Sequence, residues 1–149
     1  MDEFDRRILT VLQTDASQSV AQIADQVGLS PTPCWRRVQK LEANGVIRGR
    51  VALLDAAQLD LGLTVFVHLR IARHGSDWLE AFTRAMMAMP EVLEVSRLAG
   101  NWDYLLRVVV ADMPAYDRFY KRLIKVDGLN DVSSSFSMEQ IKYTTALPL

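Results

Sequence analysis

The sequence predicts an α+β chain: an N-terminal winged helix-turn-helix joined by a β-ribbon to a C-terminal ferredoxin-like domain of order β-α-β-β-α-β. Three observations predict it. The stretch SVAQIADQVGLSPTPCWRRVQKL, residues 19–41, reads as two short helices around a tight turn. After residue 62 the apolar pattern changes from helical spacing to alternation. Turn residues then separate four strand-like runs and two amphipathic helices in that order. The boundaries are 1–50 for the helix-turn-helix unit, 51–62 for a hinge strand and connector, and 63–149 for the second domain.

Residues 2–14 form a first helix, with Phe4, Ile8, Leu9 and Leu12 as its apolar stripe and Asp2, Glu3 and Asp5 at the positive end of its dipole. Ser19 caps the next helix and Gln22 completes a capping box. Val20, Ile23, Ala24 and Val27 share one face, Gly28 ends the helix through a positive φ, and Leu29 plugs the corner. Ser30 is placed to cap the third helix, with Pro31 at its first position and Pro33 still within the first turn.

Laid out at about 100° per residue, the third helix puts Cys34, Val38 and Leu41 toward a core. Thr32, Arg36, Gln39 and Ala43 lie opposite, Trp35 and Lys40 flank them, and Arg37 sits near the edge of the buried face. An exposed stripe of Thr, Arg and Gln suits the DNA major groove, where Arg pairs with guanine, Gln with adenine, and Thr with phosphate or a thymine methyl. The plainer alternative is a solvated helix in a trihelical unit. Charge distribution favours the DNA reading. The 149-residue chain has net charge −1, but residues 1–29 carry −3 and residues 30–50 carry +4.

Glu42-Ala43-Asn44-Gly45 stops the helix. Val46 to Leu54, interrupted by Gly49, reads as a short β-ribbon, the wing, with Arg48 and Arg50 placed to touch phosphate. The candidate DNA-contacting set is therefore Ser30, Thr32, Pro33, Trp35, Arg36, Arg37, Gln39, Lys40, Arg48 and Arg50.

Residues 55–62 are a connector with room for one helical turn. Val65, Val67, Leu69 and Ile71 then alternate with Phe66, His68 and Arg70 as a strand. Ser76 or Asp77 caps a helix whose stripe is Trp78, Phe82, Ala85, Met86 and Met89, closed by Pro90. Met86, Met87 and Met89 read as core packing, and Trp78 as a core anchor. Residues 92–99 and 104–110 are strands joined through Gly100-Asn101-Trp102-Asp103. Pro114 opens a helix striped by Tyr116, Phe119, Tyr120 and Leu123, and Asp127-Gly128 turns the chain. Residues 132–141 form the last strand, with Val132, Ser134, Phe136 and Met138 on one side and Ser133, Ser135, Ser137 and Glu139 on the other. Both helices then pack on one sheet face, while apolar residues on the other face favour cover by a second subunit.

Half the residues are apolar, enough for a core, and the single cysteine excludes an internal disulfide. Cys34 reads as a buried, inert thiol. No apolar run reaches membrane-spanning length and MDEFDRR is unlike a signal peptide, so a cytoplasmic protein without membrane contact is expected. His68 and His74 are not joined by a cysteine or a third histidine, so no metal site is expected.

With both halves in view, the chain resembles the leucine-responsive/AsnC, or feast/famine, family of transcription regulators. The resemblance rests on FDRRILTVLQTD at 4–15, VGLSPTPCWRRVQKLEANGVI at 27–47, VALLD at 51–55, LAGNWDYLLRV at 98–108 and GLNDVSSSFSMEQIK at 128–142. It implies a C-terminal domain of ACT/RAM type, double-stranded DNA as partner, pairing through the ribbon and sheet domains, and often an octamer of four dimers. It also implies no cofactor, only a small amino-acid effector bound between subunits. The family places that effector near two segments, which gives a candidate set of Leu98, Gly100, Asn101, Trp102, Asp103, Tyr104, Ser133, Ser135, Phe136 and Ser137. Asp103 can hold an ammonium group and free N–H groups near Gly100 and Asn101 a carboxylate. On the residues alone the first segment can also be an ordinary hairpin turn and the serine row a polar sheet face. The run GLTVFVHL and the tail SSFSMEQIKYTTALPL are similar to a branch whose members answer to L-cysteine. Some haem-biosynthesis decarboxylases share the two-part layout, but catalysis needs titratable groups converging on a large pocket, and here they are scattered. No catalytic residue is expected.

Overall fold

The structure, a computed structural model, describes residues 1–72 and 75–149, and the expectation for His74 lies outside the described residues. The chain divides into two compact units, Met1–Leu53 with Ile141–Leu149, and Leu54–Gln140.

In the first unit three helices enclose one core. Helix α1, Glu3–Thr14, begins with a capping box in which Asp2 and Asp5 satisfy each other's backbone N–H. Helix α2, Val20–Val27, has the expected Ser19–Gln22 box and ends at Gly28, whose φ is 74°. Leu29 N–H then donates to Ala24 O at 2.9 Å, satisfying a carbonyl that the helix leaves free. Helix α3, Pro31–Ala43, starts after Ser30, but the Ser30 hydroxyl makes no capping bond. The reason is local: an N-cap side chain usually accepts from the third helical N–H, and Pro33 occupies that position without one. Ile8, Leu12, Ile23, Ala24, Val27, Cys34, Val38 and Leu41 form the buried cluster.

The expected ribbon over residues 46–54 is absent: these residues are not in a strand. Val46 and Ile47 both return N–H bonds to Leu41 O, closing the end of α3. Beyond them Val51 and Leu54 are 81% and 75% exposed. A strand needs a neighbour to pair with, and the single chain supplies none here. A one-turn 3-10 helix, Ala57–Leu59, fills the expected connector. The last residues pack with the helical unit. The Gln13 carboxamide donates to Leu147 O at 2.9 Å and accepts from Leu147 N–H at 2.8 Å.

The second unit is a four-stranded antiparallel sheet of order β2-β3-β1-β4, built from β1, Leu63–Ile71, β2, Val92–Arg97, β3, Tyr104–Val110, and β4, Leu129–Phe136. Helices α4, Ser76–Met87, and α5, Met113–Leu123, contribute to its one core cluster. Val65, Val67 and Leu69 from β1 and Leu106 and Val108 from β3 are fully buried there against Phe82 and Phe119. The alternating residues Phe66, His68, Leu105 and Val109 are half-buried on the opposite face.

Four details differ from expectation. Gly75, not Ser76 or Asp77, is the N-cap of α4, because the helix begins one residue earlier than the cap reading requires. Met87 is 83% exposed, on the side of α4 opposite Phe82. Strand β2 stops at Arg97 rather than residue 99. Strand β4 runs from Leu129 to Phe136 rather than over residues 132–141, and past it only the Ser137 N–H, bonded to Thr64 O, continues the pairing toward the start of β1 at Leu63. Among the described residues no helix is long and apolar enough to cross a membrane.

The turn at Gly128 holds the start of β4 against α4. Its φ is 82°, and a Cβ there would lie 2.3 Å from Trp78 Nε1. That nitrogen donates to Asp127 O at 2.6 Å. Gly128→Ala combines left-handed strain with loss of this bond and is expected to destabilise the unit by about 3 kcal/mol. Urea unfolding checks this, with an unchanged midpoint as the contrary result.

Candidate nucleic-acid interface and ligand site

Helix α3 displays the residues that its periodicity placed outward. Ser30, Thr32, Pro33, Trp35, Arg36, Gln39 and Lys40 are exposed, as are Arg48 and Arg50 beyond it. Their electrostatic situations differ. Arg50 pairs with Glu42 at 2.8 Å, and Gln39 donates to the other oxygen of Glu42 at 3.0 Å. Arg36, Lys40 and Arg48 have no ion pair among the described residues. An unpaired cation keeps its full charge for a phosphate or a base edge, whereas Arg50 must first leave a carboxylate.

Arg37 stands apart from the others. Its Nη1 lies 2.7 Å from both Asp2 and Asp5, and its guanidinium sits 5.5 Å from the Phe4 ring centre. The residue ties α3 to the capping box of α1, so of the expected DNA-facing row it is the member whose charge is already engaged within the helical unit. Its position at the edge of the buried face gave the partial signal; the acidic partners, more than thirty residues upstream, gave none.

This clasp is acid-sensitive. The Asp5 backbone N–H and then Arg37 hold the Asp2 carboxyl below the usual carboxylate range. Burial pushes Asp5 up, but the Asp2 N–H and Arg37 outweigh it and the net shift is downward. A carboxyl with a depressed folded-state pKa contributes stability above its unfolded value, near 4, and loses it as pH falls through the folded value. The stability difference between wild type and Arg37→Met is therefore expected to be full at neutral pH and to shrink below about pH 4. Chemical denaturation across pH measures it, and a difference independent of pH contradicts it. Cys34, fully buried behind the helix, has its thiol pKa raised by burial, with Arg37 opposing, so it is protonated and unreactive.

The second constellation lies in the sheet unit. Between β2 and β3 the chain runs through Leu98, Gly100, Asn101, Trp102 and Asp103 to Tyr104. Gly100 has φ 149°. Leu98 N–H donates to Asp103 O at 2.8 Å, and Asp103 N–H to Leu69 O at 2.9 Å. Asp103 Oδ2 accepts from Ile71 N–H at 2.9 Å, where the β1–β4 register shifts. The Asp103 side chain thus anchors its turn as well as carrying a charge. The backbone N–H groups of Gly100 and Asn101 make no hydrogen bond among the described residues. Tyr104 points the other way, into the core beside Phe82 at 4.9 Å.

The turn and the serine row lie on opposite sides of β1. Ser133 and Ser135 are exposed on β4, and Ser137, just past its end, donates its N–H to Thr64 O. Phe136 faces the helical side, edge-on to Tyr116 at 5.1 Å, and so stands on the other face from those serines. Between the two segments run the outer residues of β1: Phe66 opposite Ser135, His68 opposite Ser133, Arg70 opposite Asp131. Trp102 spans them, 5.6 Å from the His68 ring and 4.7 Å from the Arg70 guanidinium. Arg70 Nε also donates to Asn101 O at 2.7 Å, fixing the turn.

His68, Arg70 and Asp131 are thus the members that the sequence reading missed. Their only signal was alternation: they occupy the outward positions of strands flanking the site. The face offers a carboxylate, free N–H donors, a guanidinium, hydroxyls and one large aromatic ring, which together can hold a zwitterion. Among the described residues no three His, Cys, Asp or Glu side chains converge as metal ligands.

The comparisons agree with both halves. The AsnC-type helix-turn-helix domain matches residues 1–42, and the Lrp/AsnC ligand binding domain matches residues 64–147. The DNA-binding transcriptional activator DecR of Escherichia coli K12 is 51% identical over 150 residues, covering 100% of this chain and 99% of its own length. The glutamate uptake regulatory protein of Zymomonas mobilis is 50% identical over 149 residues, covering 100% and 91%. A transcriptional regulator of Neisseria meningitidis, solved as a complex with L-Met, superposes with a TM-score of 0.94 at 38% identity over 99% of this chain and 96% of the other. A paired helix with outward cations, an amino-acid-binding type of sheet domain and whole-length likeness to regulators rather than enzymes place the chain in the Lrp/AsnC family of DNA-binding transcription regulators.

Proposed function

We propose that this regulator reads duplex DNA through α3 and answers to L-cysteine bound on the outer sheet face between subunits. The observation that carries the DNA reading is the row of unpaired cations, Arg36, Lys40 and Arg48, around an exposed Thr32–Trp35–Gln39 surface. Arg36 and Gln39 read base edges, Thr32 and Trp35 pack along the groove, and Arg48 and Arg50 meet phosphate. Ser30 and Pro33 shape the start of the helix.

The working unit is a dimer, assembled further to an octamer of four dimers, in the cytoplasm. Residues 51–54, Val-Ala-Leu-Leu, support this reading, being apolar, exposed and outside any strand in one chain, as a segment awaiting a partner is. A dimer sets its two recognition helices about one DNA turn apart, or a multiple of it. The effector shifts the assembly only by its difference in affinity between two arrangements. In the site, Asp103 takes the ammonium and the N–H groups of Gly100 and Asn101 the carboxylate, with Ser133, Ser135 and Ser137 supplied by a neighbouring subunit. Leu98 and Trp102 wall the pocket.

The similarity of GLTVFVHL and the tail SSFSMEQIKYTTALPL to a branch whose members answer to L-cysteine favours cysteine among amino acids. The test is a thermal-shift series with each of the twenty L-amino acids in the presence of a phosphine reductant. A ligand at a hundred times its Kd adds about 2.7 kcal/mol of stability, so L-cysteine is expected to raise Tm by several degrees. A response to L-methionine or L-glutamate alone reassigns the effector, and no response to any overturns the ligand reading.

A further inference from the structure

On the helical side of the sheet, away from Trp102 and the serines, α4 and α5 leave a groove of about 540 Å³. That volume lies in the range of small-molecule sites. Two clasps hold the helices at its ends: Trp78 Nε1 bonded to Asp127 O, and Arg122 paired with Glu91. Between them the α4 side is cut back to Ala81 and Ala85, which opens the notch. The floor is preformed. Trp78 stacks on Phe82 at 4.9 Å and 15°, and the absence of a Cβ at Gly128 makes room for the indole, which such a Cβ would meet at 2.3 Å.

The rim carries both signs of charge. Asp77 and Asp127 meet at the Trp78 end, while Arg122 and Lys125 line the α5 side. Lys125 has no ion pair among the described residues. An aromatic floor next to paired opposite charges is complementary to a small zwitterion with an apolar tail, and a simple anion or cation would leave half the rim unmatched.

We propose that this groove is a second binding site, for a free α-amino acid with an apolar side chain. The carboxylate meets Lys125 and Arg122, the ammonium meets Asp77 and Asp127, and the side chain lies on Trp78 between Ala81 and Ala85. The site shares no residue with the outer sheet face and stands or falls independently of the effector reading.

The chain has three tryptophans: Trp35 on α3, Trp102 on the sheet face and Trp78 in the groove. Full-length protein labelled with 5-fluorotryptophan therefore gives a separate fluorine resonance for each region, assigned by single Trp→Phe variants. Titrating L-leucine, L-methionine and L-phenylalanine to millimolar concentrations is expected to move the Trp78 resonance saturably. The movement persists in Asp103→Asn, and Lys125→Glu weakens it about tenfold. Ala85→Leu fills the notch and abolishes it, with unmoved Trp35 and Trp102 resonances showing that the fold is intact. L-leucinamide and 4-methylpentanoate, which lack one charge each, bind at least about tenfold more weakly than L-leucine. A static Trp78 resonance overturns the proposal, as does a shift that survives Lys125→Glu or equal binding of 4-methylpentanoate. Movement of Trp102 alone assigns the amino acid to the sheet face and removes it from the groove.

Discussion

Arg36→Ala is expected to lower affinity for a specific DNA site by about 1–3 kcal/mol, roughly 5- to 150-fold, and affinity for random duplex far less. The size follows from its position. Arg36 lies opposite the Cys34–Val38–Leu41 core stripe, is exposed, and carries no competing carboxylate. A bidentate contact to guanine can form there without breaking anything first. Arg37, its neighbour in sequence, is the control: its charge is already used by Asp2 and Asp5, so Arg37→Met acts mainly on stability. Fluorescence anisotropy with matched and scrambled duplexes at fixed salt separates the cases. Equal loss on both sequences makes Arg36 a phosphate contact and moves base reading elsewhere on the helix.

Asp103→Asn is expected to weaken the effector about 10- to 150-fold while leaving effector-free DNA binding unchanged. A hydrogen bond to a charged group contributes about 1.5–3 kcal/mol, and the substitution removes the charge that pairs with an ammonium. Asparagine is the informative variant because its Oδ1 still accepts from Ile71 N–H, as Asp103 Oδ2 does. Alanine would leave that part-buried N–H without its partner, at a cost of about 1–3 kcal/mol, and so mix a folding defect with lost binding. Titration calorimetry of the two proteins gives the ratio, and unchanged affinity displaces the ammonium site from Asp103.

What could be read in advance was whatever short-range chemistry decides. The Ser19–Gln22 box, the left-handed Gly28 and the Cys34–Val38–Leu41 stripe depend on residues within one or two turns of each other, and each is present. The strand order was legible because alternation, turns and amphipathic helices recur in only one simple arrangement. Elements that depend on a distant or absent partner were not. The Arg37 clasp needs Asp2 and Asp5, and the Gln13–Leu147 bond joins residues 134 apart. The ribbon over residues 46–54 has the composition of a strand, yet composition cannot supply a neighbour. Ser30 shows a local rule overridden by another: its capping partner was removed by Pro33. In the candidate ligand site, Asp103 offered a charge for an ammonium group even in a turn of ordinary composition, whereas Arg70 and His68 looked like ordinary outward strand positions until the register set them under Trp102.

DNase I footprinting of the full-length protein across a genomic fragment library, with and without L-cysteine, tests most directly whether α3 reads sequence. Discrete protected tracts spaced by about one helical turn, lost in Arg36→Ala and altered by the amino acid, are the expected result. Uniform protection that fades with salt and ignores both Arg36 and the amino acid would contradict it.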